Sequence, residues 1–243
     1  ILALAEAGAT KLLHVSTAYV CGTRRGTVHE AELDCGQSFA NGYEASKAAA
    51  ERLVRQSAVP AAIARPSIIV GHSATGAIRS FDTLYAAFRL IAEGRIRCMP
   101  ATADATLDFV PIDHVAGGIV ALAEAIGLAA DKSFHLVSGA PVPVGEFRNA
   151  IAAYPQFTAP KLVKPEDFDA RALPALERRL HARIAGLYAS YFQRSPRFDD
   201  SAFRALVGTA CPPTGPAFLR KLIDYCISVG YLSRARPAST VIR

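Results

Sequence analysis

Tryptophan is absent from the 243 residues, methionine occurs once, and lysine is scarce, with arginine outnumbering it 21 to 6. No apolar run approaches the roughly 20 residues that a bilayer demands, because Arg, Asp or Gly interrupts each stretch well before that length. The first ten residues carry neither an initiator Met nor a basic segment ahead of an apolar one, so they do not read as a signal peptide. They read as the end of an amphipathic helix, and the chain is expected to begin inside a fold. Paired cysteines are missing too. The five present (Cys21, Cys35, Cys98, Cys211 and Cys226) are odd in number and form no C-x-x-C, which argues against zinc or a disulfide framework. Reduced thiols in a cytoplasmic protein are the expectation, with Cys226 a buried, inert thiol on an apolar helix stripe. No His, Asp and Glu cluster has metal-ligand spacing, so no metal site is expected. Basic residues are not interleaved with aromatics as in a nucleic-acid surface, so a nucleic-acid partner is not expected.

What charge there is lies unevenly. The net charge is +6, yet from Arg171 onward twelve Lys and Arg face four Asp and Glu, leaving fifteen against seventeen in residues 1–170. A basic last third suits either an ordinary solvated arginine face or an acidic partner such as a phosphorylated cofactor or a carrier protein.

Hydrophobic patterning alternates between strand and helix. Lys11–Ser16, Ala61–Val70, Leu107–Val110 and Ser133–Ser138 read as strands, and 43–56, 81–93 and 112–126 as helices, with 22–42 a long loop. That alternation predicts an α/β fold built on a parallel sheet. Beyond residue 150 the period changes. Leu173, Leu176, Leu180, Ile184, Leu187 and Tyr191 recur at steps of three and four, and a second helix spans 217–229 before Gly230. The expected division is an α/β part over 1–150 and a helical appendage over 151–243, its tail from Arg234 to Arg243 frayed.

The sharpest local feature is Tyr43-Glu-Ala-Ser-Lys47, whose i and i+4 positions share one helix face. A neighbouring ammonium favours the phenolate, so this spacing predicts a Tyr43 phenol of lowered pKa acting as a general acid or base. With 8 Tyr and six Lys in 243 residues, the spacing alone arises by chance about once in five such sequences. Context strengthens it. His14-Val-Ser-Thr-Ala-Tyr-Val-Cys-Gly22 ends a buried strand, and hydroxyl residues at the C-terminal end of a strand in an open α/β sheet lie where ligands bind. Pro66 removes a ladder donor, which suits a strand that stops and turns beside a ligand.

S-T-A-x-V-x-G at Ser16–Gly22, Y-x-x-x-K at Tyr43–Lys47, R-P-S-x-x-x-G at Arg65–Gly71 and D-F-V-P-I-D-H-V-A at Asp108–Ala116 occur in one order and spacing. This set resembles the extended short-chain dehydrogenase/reductase family. Its wording is most similar to the fatty acyl-CoA reductase and thioester reductase branch, which the C-terminal stretch Arg197–Tyr231 also resembles more loosely. The resemblance implies a Rossmann-type doubly wound parallel sheet followed by a small helical C-terminal part. It implies that Thr17 hydrogen-bonds the substrate oxygen, that Tyr43 exchanges the proton, and that Lys47 tunes the phenol and holds the nicotinamide ribose. Ser16, Pro66, Ser67 and Ile68 would complete the cofactor contacts, the backbone there addressing the carboxamide, and Ala18 and His72 would reach the substrate. The implied cofactor is NADP or NAD, with NADPH favoured. The implied substrate is an acyl thioester, on coenzyme A or a carrier, reduced to aldehyde or alcohol. Asp108–Asp113 reads as a structural strand feeding a capped helix.

The sequence departs from that family in one respect. It holds no G-x-G-x-x-G or G-x-x-G-x-x-G phosphate loop, so it is expected to lack the N-terminal half of the dinucleotide domain and to expose a sheet edge. Two other readings share the residues. A nucleotide-sugar epimerase or dehydratase, or a hydroxysteroid-type dehydrogenase, would use the same Thr-Tyr-Lys set, with Arg79, Arg95 and Arg97 available for a sugar nucleotide. A non-catalytic dinucleotide-binding module would keep the fold without needing the proton-transfer set.

Overall fold

The structure is a computed structural model that describes residues 1–233, without the side chains of 83 and 184–189. The tail expected to fray and the stripe positions Ile184 and Leu187 therefore fall outside the described residues. In chain order the elements are α1 (Leu2–Ala7), β1 (Leu12–Val15), β2 (Gly26–Val28), α2 (Gly42–Gln56), β3 (Ala61–Pro66), β4 (Ile68–Val70) and α3 (Thr83–Ala92). There follow β5 (Cys98–Pro100), β6 (Thr106–Leu107), β7 (Phe109–Pro111), α4 (Ile112–Glu124), α5 (Ile126–Ala129), β8 (Ser133–Leu136), β9 (Val142–Pro143) and α6 (Val144–Ala152). The last are β10 (Lys161–Val163), α7 (Ala175–Tyr188), β11 (Pro196–Phe198), α8 (Ser201–Val207) and α9 (Pro216–Ser228).

Three strands form the central sheet, in order β1-β3-β8 and parallel throughout. Both faces of β3 are covered, and its period of two decides what meets what. Ala61 and Ile63 pack with Val54 of α2, while Ala62 and Ala64 pack with Val115 and Leu122 of α4, Phe134 of β8 and Phe203 of α8. Arg65 continues the first set. Its guanidinium is fully buried and closes on the equally buried Glu51 of α2 at 2.6 Å. β1 has no partner on its other side among the described residues, and its Val15 is 40% exposed. This is the doubly wound α/β arrangement, with the sheet edge open at β1.

Glu30, in the loop after β2, ties distant segments together. Its buried carboxylate accepts the N–H groups of His135 on β8 (2.9 Å) and of Ala202 (2.6 Å) and Phe203 (3.1 Å) in the first turn of α8. Gly118 lets α4 approach that contact closely, since a Cβ there would lie 2.8 Å from the Phe203 ring and 2.9 Å from Leu136.

A second core draws on α3, β7, α6 and α9, with Phe88, Phe109, Ile151, Leu219, Leu222 and Cys226 among its buried members. A boundary at residue 150 would cut this core, because it joins residues of the middle of the chain to those of the last helix. Burial pushes the Cys226 thiol up to about 12, as expected of an inert core cysteine.

Three of the expected elements resolve differently. The strand foreseen over 61–70 is two strands: at Ser67 the chain leaves its pairing with β8 and takes up β7. The one foreseen over 107–110 likewise splits into β6 and β7, which pair with different partners. The loop over 22–42 contains β2, which pairs with β11 from 170 residues downstream (Gly26 with Pro196). Local pattern carries no trace of such a partner.

Candidate active site

The three strands of the central sheet end together at Val15, Pro66 and Leu136, and the sequence-predicted residues collect at that edge. Beyond β1 the Ser16 N–H still donates to Ala64 O (2.7 Å), which keeps the chain extended into Thr17. Thr17 then caps the short turn Ala18–Cys21, its hydroxyl accepting the Tyr19 N–H at 3.3 Å and donating to Pro66 O at 3.3 Å. From the other side α2 arrives N-terminus first. Asn41 caps it by accepting the Glu44 N–H at 2.9 Å, which sets Tyr43 in the first turn. The Tyr43 phenol lies beside the Thr17 hydroxyl, and the two border the same cavity. Lys47, one turn on, donates to Val15 O at 3.1 Å, and its ammonium lies 5.9 Å from the centre of the Tyr43 ring. Thr17, Tyr43 and Lys47 are thus brought together.

The electrostatics reverse one expectation. Burial raises the Tyr43 phenol above its ordinary value, the neighbouring Thr17 hydroxyl opposes that, and the Glu44 charge adds to the rise. The predicted lowering by Lys47 is not found, because the ammonium is directed to a backbone carbonyl rather than to the phenolic oxygen. Tyr43 is therefore a protonated phenol at neutral pH.

Ser67 and Ile68 form one wall. The Ser67 hydroxyl donates to Asp108 at 2.5 Å, and the same buried carboxylate accepts the N–H and hydroxyl of Ser138 at 2.9 and 3.0 Å. Burial raises the Asp108 carboxyl, while the three hydrogen bonds pull it back. The N–H groups of Ser67 and Ile68 donate to Leu136 O (3.2 Å) and Asp108 O (3.0 Å), so neither is free to address a carboxamide. Asp113 accepts the N–H and hydroxyl of Ser73 at 2.8 and 2.6 Å, which orders the loop after β4. Both carboxylates of the Asp108–Asp113 stretch thus organise backbone rather than meet a ligand.

A cavity of about 130 Å³ opens between Thr17 and Tyr43 on one side and Ile68, Leu107, Phe109, Phe147 and Phe192 on the other. Ala18 and His72 line no part of it. Ala18 is fully buried against Tyr19 and Val28, and the His72 ring is turned to its own loop, accepting the Ala74 N–H at 3.1 Å. Arg79, Arg95 and Arg97 are exposed and also lie outside the lining. On β1 and just past its end, His14 Nε2 and Ser16 Oγ are buried without a hydrogen-bond partner among the described residues. Unsatisfied polar atoms beside Lys47 and Tyr43 fit a hydroxyl-rich ligand such as a dinucleotide ribose. No group of three or more His, Cys, Asp or Glu among the described residues is placed to hold a metal ion.

Sequence reasoning missed the residue that fixes the start of α2. Arg194 is buried, pairs with the fully buried Glu44 at 2.5 Å, and donates to Gly22 O at 2.8 Å. Its guanidinium packs against the rings of Tyr19 and Tyr191, which meet edge to face, at 4.7 and 4.8 Å from their centres. Glu44 also accepts the Ala40 N–H at 3.1 Å. The spacing of Asn41 and Glu44 is that of a capping box and was available as a signal. Nothing in the sequence pointed to Arg194, 150 residues away.

Residues 1–119 match the profile of the male sterility protein family. The chain is 27% identical over 256 aligned positions to the non-canonical nonribosomal peptide synthetase hkm10 of Aspergillus hancockii, covering 93% of this chain and 25% of that protein. Its fold is similar to the terminal R domain from the myxalamid PKS-NRPS biosynthetic pathway, with a TM-score of 0.76, 25% identity, and coverage of 92% of this chain and 60% of that one. UDP-glucuronic acid 4-epimerase from Bacillus cereus, solved in complex with NAD, shares the fold at a TM-score of 0.64 and 17% identity, over 94% of this chain and 65% of that one. The chain thus spans about a quarter of the synthetase it matches and three fifths of the R domain. No helix among the described residues is long and apolar enough to cross a membrane. Family profile and sheet agree, and residues 1–119 are similar to the NAD-binding domains of the male sterility protein family.

Proposed function

We propose that the chain carries the proton-donating and substrate-facing part of an NAD(P)H-dependent reductase of acyl thioesters. The observation that carries this reading is the pair of hydroxyls of Thr17 and Tyr43, side by side at the mouth of an apolar cavity, with Lys47 behind them. A thioester carbonyl set against this pair has its oxygen between two hydroxyls, which stabilise the negative charge as it develops. The reduced nicotinamide, when bound, supplies the hydride. Tyr43 then gives its proton to the oxygen, and collapse of the adduct expels the thiol and leaves an aldehyde. Ser16, Tyr43 and Lys47 would hold the cofactor's ribose, and Pro66, Ser67 and Ile68 would flank the ring. NADPH is the favoured donor, on the family resemblance alone, and the free thiols suit a cytoplasmic setting.

The cavity favours this over a sugar-nucleotide substrate. Its lining has no charged side chain, whereas a sugar diphosphate needs cations, and the three arginines held in reserve for that role face solvent elsewhere. A non-catalytic module would have no use for the convergence of Thr17, Tyr43 and Lys47. The full-length protein that contains this chain is expected to oxidise NADPH or NADH only when an acyl-CoA or acyl-pantetheine is supplied. Spectrophotometric oxidation that ignores the thioester, or that needs a sugar nucleotide, would refute the reading.

Delivery on an acidic carrier protein fits the basic face of α7, where Arg178, Arg179 and Arg183 are exposed. Reversing these three charges to Glu should raise KM for a carrier-bound acyl group about fivefold or more, since interfacial charges act chiefly on encounter. The same variant should leave KM for acyl-pantetheine unchanged. An equal change for both substrates, or for neither, would remove the carrier from the proposal.

A further inference from the structure

Behind the cavity at Thr17 and Tyr43 lies a second one of about 40 Å³, lined by apolar side chains and Tyr85, between α3, α6 and α9. Three side chains border both: Leu84 of α3, Phe109 of β7 and Phe147 of α6. Phe147 is the keystone of this partition, its ring 5.8 Å from Phe88, 5.9 Å from Phe109 and 6.2 Å from Phe192. A cavity of about 150 Å³ with apolar walls holds a benzene molecule without water, so the first chamber has the size of one aromatic ring. It has no room for an extended chain unless the partition moves.

We infer that these two chambers in tandem form an acyl-size selector, in which the first receives one compact apolar group of aromatic-ring size and Phe147 bars longer chains from the second. This rests on the thioester-reductase reading and adds the class of acyl group: a short aryl or branched aliphatic residue rather than a long fatty chain. The chemistry of the walls supports it. Beyond Thr17, Tyr43 and Ser67 at the mouth, Tyr191 alone among the lining side chains carries a polar atom, and the second chamber's one polar group, the Tyr85 hydroxyl, is engaged by the Gly71 N–H at 2.9 Å. A group with its own donors or acceptors would lose its hydration there without replacement. Truncating Phe147 removes the shared wall and joins the two spaces into one passage running from the catalytic hydroxyls to α9.

The test compares N-acetylcysteamine thioesters of 3-phenylpropanoate and dodecanoate with the full-length protein. The unmodified protein should favour the phenylpropanoyl substrate by about tenfold or more in kcat/KM, within the range that pocket fit commands. Phe147→Ala should erase most of that preference by improving the dodecanoyl substrate, and Phe147→Leu, which keeps an apolar side chain in place and guards against misfolding, should move it part of the way. Equal rates for both substrates in the unmodified protein, or an unmoved ratio in both variants, overturn the inference. Calorimetric binding of 3-phenylpropan-1-ol and decan-1-ol needs no turnover and separates the two ideas. Selective binding that Phe147→Leu relaxes, with no thioester reduced, keeps the selector and sinks the reductase. Thioester reduction with no selectivity in either assay does the reverse.

Discussion

Tyr43→Phe should lower kcat for thioester reduction by about 10²–10⁴-fold, the range a positioned general acid contributes, while KM and thermal stability change little. The hydroxyl is the only group removed, and the ring is 51% exposed, so no core contact is lost. The pH profile gives the sharper check. Burial holds the phenol above its ordinary 10.0, so its acid form persists through the neutral range. A reductive kcat limited by proton donation should therefore stay flat across neutral pH and fall only as pH rises through the phenol's pKa, above about 10. An alkaline limb near neutrality would mean that Lys47 governs the phenol in the working enzyme, as the sequence alone had suggested. Activity that survives the substitution intact would take Tyr43 out of the chemistry.

The second large effect concerns Arg194. Arg194→Met should cost about 3–5 kcal/mol of stability in denaturant unfolding, because it strands the buried Glu44 carboxylate without its partner. Combining it with Glu44→Gln should recover part of that loss, since the stranded charge is then gone. The pair couples to the site as well as to stability. Glu44 follows Tyr43 directly and accepts the Ala40 N–H ahead of α2, so loosening it frees the first turn that carries the phenol. Single and double variants that lose stability additively would show that the two residues act independently.

Much of the site was legible because it lies on local signals. Thr17 follows a short buried strand, Tyr43 and Lys47 sit one helical turn apart behind an Asn41 cap, and Pro66 marks where β3 stops. Period alone placed α2, α3, α4 and α9 within a few residues, since each has an apolar face and a Gly, Pro or cap at its end. What escaped has a common cause. β2 is three residues long and exists because β11 pairs with it, Arg194 reaches Glu44 from the far end of the chain, and the interleaved second core is a product of packing. The direction of the Tyr43 shift was misjudged for the same reason: a one-dimensional spacing shows that Lys47 is near, but neither that its ammonium turns to Val15 nor that the phenol is partly desolvated.

The Glu30 carboxylate carries a consequence for how the molecule is made. Its three N–H partners emerge from the ribosome more than 100 residues after it, at 135 and then at 202–203. Until they arrive, a buried acid has nothing to satisfy it, so the loop after β2 cannot settle while the chain is still being synthesised. Helices α2 and α4 can form as they appear, but the edge of the sheet that carries the candidate site must wait until residue 203 has been made. Assembly is thus ordered by contacts of large sequence separation, the kind that slow folding, and a nascent protein is kept from setting the edge of its central sheet before α8 exists.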